Sequence, residues 1–383
     1  MKVEACYIHI PFCPHKCYYC DFNIFVMQQD KYVDQYLDAL EQEMLLRFST
    51  GKARLHTLYV GGGTPTALSL AQLKRLMEII HRFLILDEHH GEFTVEANPG
   101  TLDPMKLQLL YDAGVNRLSI GAQTMDREIL KRIGRLHQPE DVVDAVHWAR
   151  NAGFHNISLD LMFGLPGQSE TQLRASVEEL LQLAPTHLSV YDLQIEEGAL
   201  FGRWVREGRF QPGSEEQEAG MYELIIQLLE EQGYHQYEVS NFAQKGYESQ
   251  HNLVYWRDQP YYGMGTGAHG YLDGVRYANL QPLQKYIKAL QMNPTQLPLA
   301  ETHEVTVAEA MEETMFLGLR MKEGVSLLSF AERFQRSIWE IYEEPIRELQ
   351  GQGLVELENE HLRCTPRGML LGNEVYMRFL LTS

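Results

Sequence analysis

The sequence predicts an α/β protein: a parallel sheet in the first half of the chain, and a smaller, largely helical unit at the end. Two observations carry this. Six short apolar, β-branched runs recur at residues 5–10, 57–60, 93–97, 117–121, 157–162 and 187–193, and amphipathic helix patterns fill 30–48, 69–84, 103–113, 139–152 and 169–183 between them. After about residue 200 this alternation stops. Strands that alternate with helices at such spacing build a parallel sheet, whose functional groups gather at the C-terminal strand ends.

The strand ends are where the unusual residues fall. The first run leads into Pro11-Phe-Cys-Pro-His-Lys-Cys-Tyr-Tyr-Cys20. The second ends in Gly61-Gly-Gly-Thr-Pro-Thr66, where successive glycines let backbone approach a ligand closely or simply make a tight turn. Glu96 stands at the end of the third, before Asn98-Pro99, and Gln123 at the end of the fourth, with Arg135 further on. Asp160 caps the fifth, ahead of Gly164-Leu-Pro-Gly167. Several polar residues at successive strand ends agree with one pocket on one face of the sheet.

Beyond residue 200 a helix is expected over 215–232, then a loop-rich stretch of Tyr, Gly and Asn over 233–279. Helices are expected at 280–291, 305–322, 327–334 and 339–350, and a hairpin turns at Glu358-Asn-Glu360. The division is 1–215 for the barrel, 216–300 for an extension, and 301–383 for a winged-helix-like domain. Nucleic-acid binding is the tempting role for such a domain. Its helix and hairpin are acidic, which favours a lid or a protein contact.

The chain has 383 residues, 33 basic against 52 acidic, for a net charge of −19. That disfavours non-specific nucleic-acid binding, which needs a cationic face, so no nucleic acid is expected as a partner. No apolar run is long enough to span a membrane and no signal peptide opens the chain, so membrane contact is peripheral at most. Five cysteines without an evident pairing pattern read as a reduced, cytoplasmic protein.

Three of those cysteines, Cys13, Cys17 and Cys20, lie within eight residues. Three thiolates on one loop can ligate three irons of a four-iron four-sulfur cluster and leave the fourth iron open. A zinc site, with His9 or His15 as a fourth ligand, is the alternative. The Cys-x3-Cys-x2-Cys spacing resembles that of the radical S-adenosylmethionine (SAM) superfamily. The six βα units likewise resemble its partial (β/α)6, TIM-like barrel. That resemblance implies a 4Fe-4S cluster on Cys13, Cys17 and Cys20, and SAM chelated at the open iron. It further implies SAM contacts at Tyr19, Gly62, Gly63, Thr64 and Glu96, and a narrower resemblance, to the oxygen-independent coproporphyrinogen III oxidase group, extends them to Tyr7, Gln123, Arg135 and Asp160.

Taken as a set, Tyr7-Ile-His-Ile-Pro-Phe-Cys13, Gly-Gly-Gly-Thr-Pro-Thr and Asp160-Leu-Met-Phe-Gly-Leu-Pro-Gly167 resemble the oxygen-independent coproporphyrinogen III oxidase group over essentially the whole chain. That enzyme carries a fourth cysteine two places after the third, where this sequence has Phe22, and it has a longer N-terminal extension. Both departures resemble the HemW-type haem chaperones, as does His251-Asn-Leu-Val-Tyr-Trp256. This second resemblance implies haem binding through His251, Tyr255 and Trp256, although a core histidine with ordinary aromatic packing would read the same way. It also implies delivery of haem to apo-haemoproteins, including those of the respiratory chain, a homodimer, and an unidentified reductant protein.

Overall fold

The computed structural model describes residues 2–27 and 31–381. Six strands follow one another across a single sheet: β1 (Ala5–Ile10), β2 (Thr57–Gly62), β3 (Glu92–Ala97), β4 (Arg117–Gln123), β5 (Asn156–Phe163) and β6 (His187–Asp192). All five neighbouring pairs are parallel. Beyond β6 the antiparallel strands β7 (His235–Glu238) and β8 (Asn241–Ala243) extend the sheet in the order β7-β8-β6. At the other edge β9 (Tyr262–Met264) adds in parallel to β1, Cys6 beside Tyr262. This nine-stranded sheet with β7 and β9 at its edges is the expected partial barrel.

Helices cover the outer face: α1 (Lys31–Arg47), α2 (Leu70–Phe83), α3 (Pro104–Asp112), α4 (Pro139–Asn151), α5 (Glu170–Gln182) and α6 (Glu215–Glu231). The predicted first residue of α1, Asp30, lies outside the described residues. Their starts are written locally. Ser69, Ser169 and Ser214 each accept from the backbone N–H three residues on, and Gln72, Gln172 and Gln217 return the bond to the cap backbone.

The strands alternate in a way that sets the site. Leu58, Val60, Phe93, Val95, Leu118, Ile120, Ile157, Leu159, Leu188 and Val190 are buried in the main core with the helices. The intervening residues are polar and bond to one another: Ser119 to Asp160 at 3.1 Å, Tyr59 to Glu96 at 2.6 Å, and Ser158 to His187 at 2.8 Å. The barrel interior is thus a hydrogen-bonded lattice, where an ordinary (β/α)8 barrel packs branched aliphatics.

The stretch 233–279, expected as loop, contains β7 to β9, a helix α7 (Gln250–Trp256), and two strands of a separate sheet, β10 (His269–Leu272) and β11 (Val275–Asn279). Its strands are three to five residues long, too short for periodicity to show. β12 (Leu299–Glu304) completes that sheet, after α8 (Leu283–Met292). The C-terminal domain packs α9 (Val307–Gly318), α10 (Leu327–Phe334) and α11 (Ile338–Gly351) against three short antiparallel strands, Val325–Ser326, Val355–Glu358 and His361–Cys364. It has its own core, from Met311 to Phe379, in the winged-helix-like arrangement expected. No helix among the described residues is long and apolar enough to cross a membrane.

Candidate functional site

The loop after β1 carries the cysteines and is pinned from both sides. Tyr18 donates its N–H to Ile133 O at 3.1 Å and accepts from Phe201 N–H at 2.9 Å, and its ring packs on Phe201 and Trp204. The Cys13 carbonyl accepts from Met27 N–H at 2.9 Å. Cys13, Cys17 and Cys20 are free thiols that line one cavity of about 360 Å³. Cys13 Sγ lies 3.4 Å from Thr64 Oγ1, and Cys17 Sγ accepts from Arg135 Nη1 at 3.6 Å. Burial pushes the Cys13 thiol up to about 11, against the Thr64 bond, and raises Cys20 as well.

The glycine run forms the next wall. Gly62 has φ +102°, and a Cβ there would strike the His9 ring. One on Gly63 would lie 2.6 Å from Ile10 O, and one on Gly61 2.5 Å from the Glu96 carboxyl carbon. With no side chains in the way, Gly62 N–H donates to Glu96 Oε2 at 2.8 Å while Tyr59 Oη donates to Oε1 at 2.6 Å. Withdrawal of Glu96 from bulk water into the cavity wall still pushes its pKa up to about 7 against these two bonds, and Asp160 adds repulsion. Desolvation raises Asp160 too, against its bonds from Ser189 and Ser119. Arg135 donates from Nη2 to Gly121 O at 2.5 Å, and its buried Nε has no partner among the described residues. Gln123 ends β4 with φ +65°, turned into the cavity.

Eleven of the residues singled out in the sequence therefore line one cavity: the three cysteines, Tyr19, Gly62, Gly63, Thr64, Glu96, Gln123, Arg135 and Asp160. Asn98, Ser119, Tyr191 and Phe22 line it as well. Ser119 and Tyr191 follow the same alternation as Asp160, so counting inward-facing positions along the strands finds them. Phe22 is 61% exposed at the rim. The cavity joins an acidic side, Glu96 and Asp160, to a cationic one at Arg135.

The remaining four predicted residues lie elsewhere. Tyr7 is on β1, its hydroxyl 3.0 Å from His9 Nδ1. His251 is buried at the start of α7, with Nδ1 2.9 Å from Thr57 Oγ1 and Nε2 2.8 Å from Tyr255 Oη. Burial drops its pKa to about 3, so the ring is neutral. Trp256 borders a second cleft of about 390 Å³, shared with Arg257, Met321, Phe330, Arg333 and His361.

The radical SAM superfamily model matches residues 7–180, and the HemN C-terminal domain model matches 305–371. The chain is 47% identical over 379 residues to the heme chaperone HemW of Bacillus subtilis (strain 168), covering 99% of both chains. It is 43% identical over 380 residues to the heme chaperone HemW of Lactococcus lactis subsp. lactis (strain IL1403), covering 99% of this chain and 98% of that one. Among solved structures, coproporphyrinogen III oxidase (HemN) from Escherichia coli, described as a radical SAM enzyme, aligns with a TM-score of 0.86 over 99% of this chain and 90% of that one. At 24% identity that likeness shows the shared fold. Radical SAM proteins as a family hold a 4Fe-4S cluster and SAM, and the full-length identities place this chain, by descent, in the HemW family of that superfamily.

Proposed function

We propose that the protein is a haem chaperone that binds haem and transfers it to apo-haemoproteins, using a cluster and SAM site at the top of its barrel. The observation that carries this reading is Phe22, exposed at the cavity rim where the oxidase group places a fourth cysteine. The 47% full-length identity to a relative named as a heme chaperone supports it.

The residues present fit both cofactors. Three free thiols face one cavity, the donor set for three corners of a cubane. Held by Cys13, Cys17 and Cys20, the cluster would supply low-potential reducing chemistry to a bound SAM. The chain's own contribution is placement. Gly62 and Gly63 bring backbone without side chains to the cavity wall beside Thr64, Glu96 and Asp160 favour an ammonium group, and Arg135, whose Nε has no partner among the described residues, favours a carboxylate. Haem delivery from the cytoplasm to respiratory-chain apo-proteins, and dimer formation, belong to the same proposal.

The test is anaerobic. Cluster-loaded protein is given SAM, reductant and coproporphyrinogen III, and in parallel is loaded with haem and mixed with an apo-haemoprotein. Haem appearing in the acceptor, without protoporphyrinogen IX, is expected. Robust turnover to protoporphyrinogen IX overturns the reading in favour of the oxidase.

A further inference from the structure

The motif His251-Asn-Leu-Val-Tyr-Trp256 has a place in the fold that haem ligation does not explain. Both ring nitrogens of His251 are engaged, by Thr57 Oγ1 on β2 and by Tyr255 Oη one helical turn on. The residue is 1% exposed. To ligate iron it must surrender one of those bonds and leave the partner hydroxyl buried and unpaired, a cost incurred before any iron is bound.

Its other contacts lead to the cysteine cavity. The His251 ring stacks on Tyr59 at 5.1 Å with the planes 27° apart, and Tyr7 flanks Tyr59 at 6.1 Å. Tyr59 donates its hydroxyl to Glu96. The helix that carries His251 is itself fastened to the strand that carries Glu96. At the start of β3, the Glu92 carboxylate accepts from Gln250 N–H and His251 N–H, both at 3.0 Å, and from Ser249 Oγ at 3.4 Å. One strand thus holds the helix with its first carboxylate, and receives through Tyr59 the support of that helix at its second.

We propose that His251 is a positioning residue for SAM: with Tyr7 it clamps the Tyr59 ring, and Tyr59 holds the Glu96 carboxylate in the geometry that accepts the SAM ammonium group. This rests on the reading of Glu96 as a SAM contact. The groups acting on Glu96 are Tyr59 and Gly62 of β2, Arg117 of β4 and Asp160 of β5, and its charge in turn bears on Tyr7 and Tyr191. Of these, Tyr59 and Gly62 bond the ionised carboxylate directly, so loss of the Tyr59 bond raises the Glu96 pKa further.

The experiment compares Tyr59→Phe, His251→Ala, His251→Gln and Glu96→Gln in the full chain. SAM binding to cluster-loaded protein is measured from pH 6 to 9, and hemin binding on the same preparations. In metal-free protein the infrared carbonyl band of protonated Glu96 is titrated. Tyr59→Phe and His251→Ala are expected to weaken SAM binding about tenfold, equivalent to about 1.4 kcal/mol. They should also move the carboxyl titration alkaline and leave hemin affinity unchanged. His251→Gln, which retains a donor and an acceptor, should recover part of the SAM affinity. If His251→Ala fails to fold, Tyr59→Phe alone carries the test. Loss of hemin affinity in His251→Ala with SAM binding intact overturns the proposal, as does a Tyr59→Phe variant that binds SAM normally while Glu96→Gln does not. Normal SAM binding by Glu96→Gln instead refutes the underlying assignment of Glu96.

Discussion

Cys13, Cys17 and Cys20 announce themselves because their meaning is local: eight residues contain the whole donor set. Replacing all three with Ala is expected to remove cluster absorbance near about 400 nm together with iron and sulfide; retained iron and sulfide would remove them as ligands. Tyr59, Thr57 and Glu92 passed unnoticed in the sequence for the opposite reason. Each acquires its role from His251 or its helix, more than 150 residues away, and nothing near them in the chain signals it. Glu96 was legible as a strand-end carboxylate, but its proton affinity was not. With a pKa of about 7 in the fold against 4.5 for a free side chain, its neutral form is favoured by folding. That contribution is complete below about pH 4.5 and is lost as pH rises through about 7. Denaturant melts of the metal-free protein across that window should lose stability with rising pH, and Glu96→Gln should flatten the slope.

The long helices were predicted to within a few residues because caps and amphipathic spacing are written in consecutive residues, as at Ser69, Ser169 and Ser214. The 233–279 stretch was misread because its elements are short and defined by partners. β9 exists as a strand because β1 lies beside it. A buried carboxylate secures that region. Glu43 of α1 accepts from Gly265 N–H at 2.8 Å, Asn279 Nδ2 at 2.6 Å and Tyr286 Oη at 2.6 Å. Burial raises its pKa against those bonds. Glu43→Ala leaves the Gly265 N–H and the Tyr286 hydroxyl unanswered, leaves Asn279 Nδ2 with only its bond to Gly265 O, and is expected to destabilise the protein by about 3 kcal/mol, read as a lower denaturant midpoint. Glu43→Gln should retain part of the difference.

At the scale of the whole molecule, two cores are joined by polar contacts. Asp258, just past α7, has a carboxylate 2% exposed that accepts from Arg276 Nη2 at 3.0 Å and from Arg333 Nη2 of α10 at 2.8 Å. The guanidinium groups are about 30% exposed, so water screens part of the attraction. Asp258→Asn tolerates the positive φ of this position and removes only the charge. It is expected to cost about 2 kcal/mol and to hasten proteolysis within the C-terminal domain before the barrel is cut. Unchanged proteolysis would mean that apolar packing alone seats the domain. None of these partners was visible in the sequence, where Asp258 reads as a loop residue.

The polar lattice inside the barrel has a consequence for how the sheet assembles. In most parallel sheets, both faces are apolar, and a strand that slips by one residue exchanges one hydrophobic side chain for another. Here a slip of one place would turn Asp160 or Glu96 toward the helices and leave Leu159 or Val95 among hydroxyls and carboxylates. Each mispaired strand would strand a charge in oil and a hydrocarbon in a hydrogen-bonded network. The groups that shape the ligand cavity are therefore also the proofreaders of strand pairing, and a variant that makes the barrel interior aliphatic should fold to a mixture of alignments even where its stability rises.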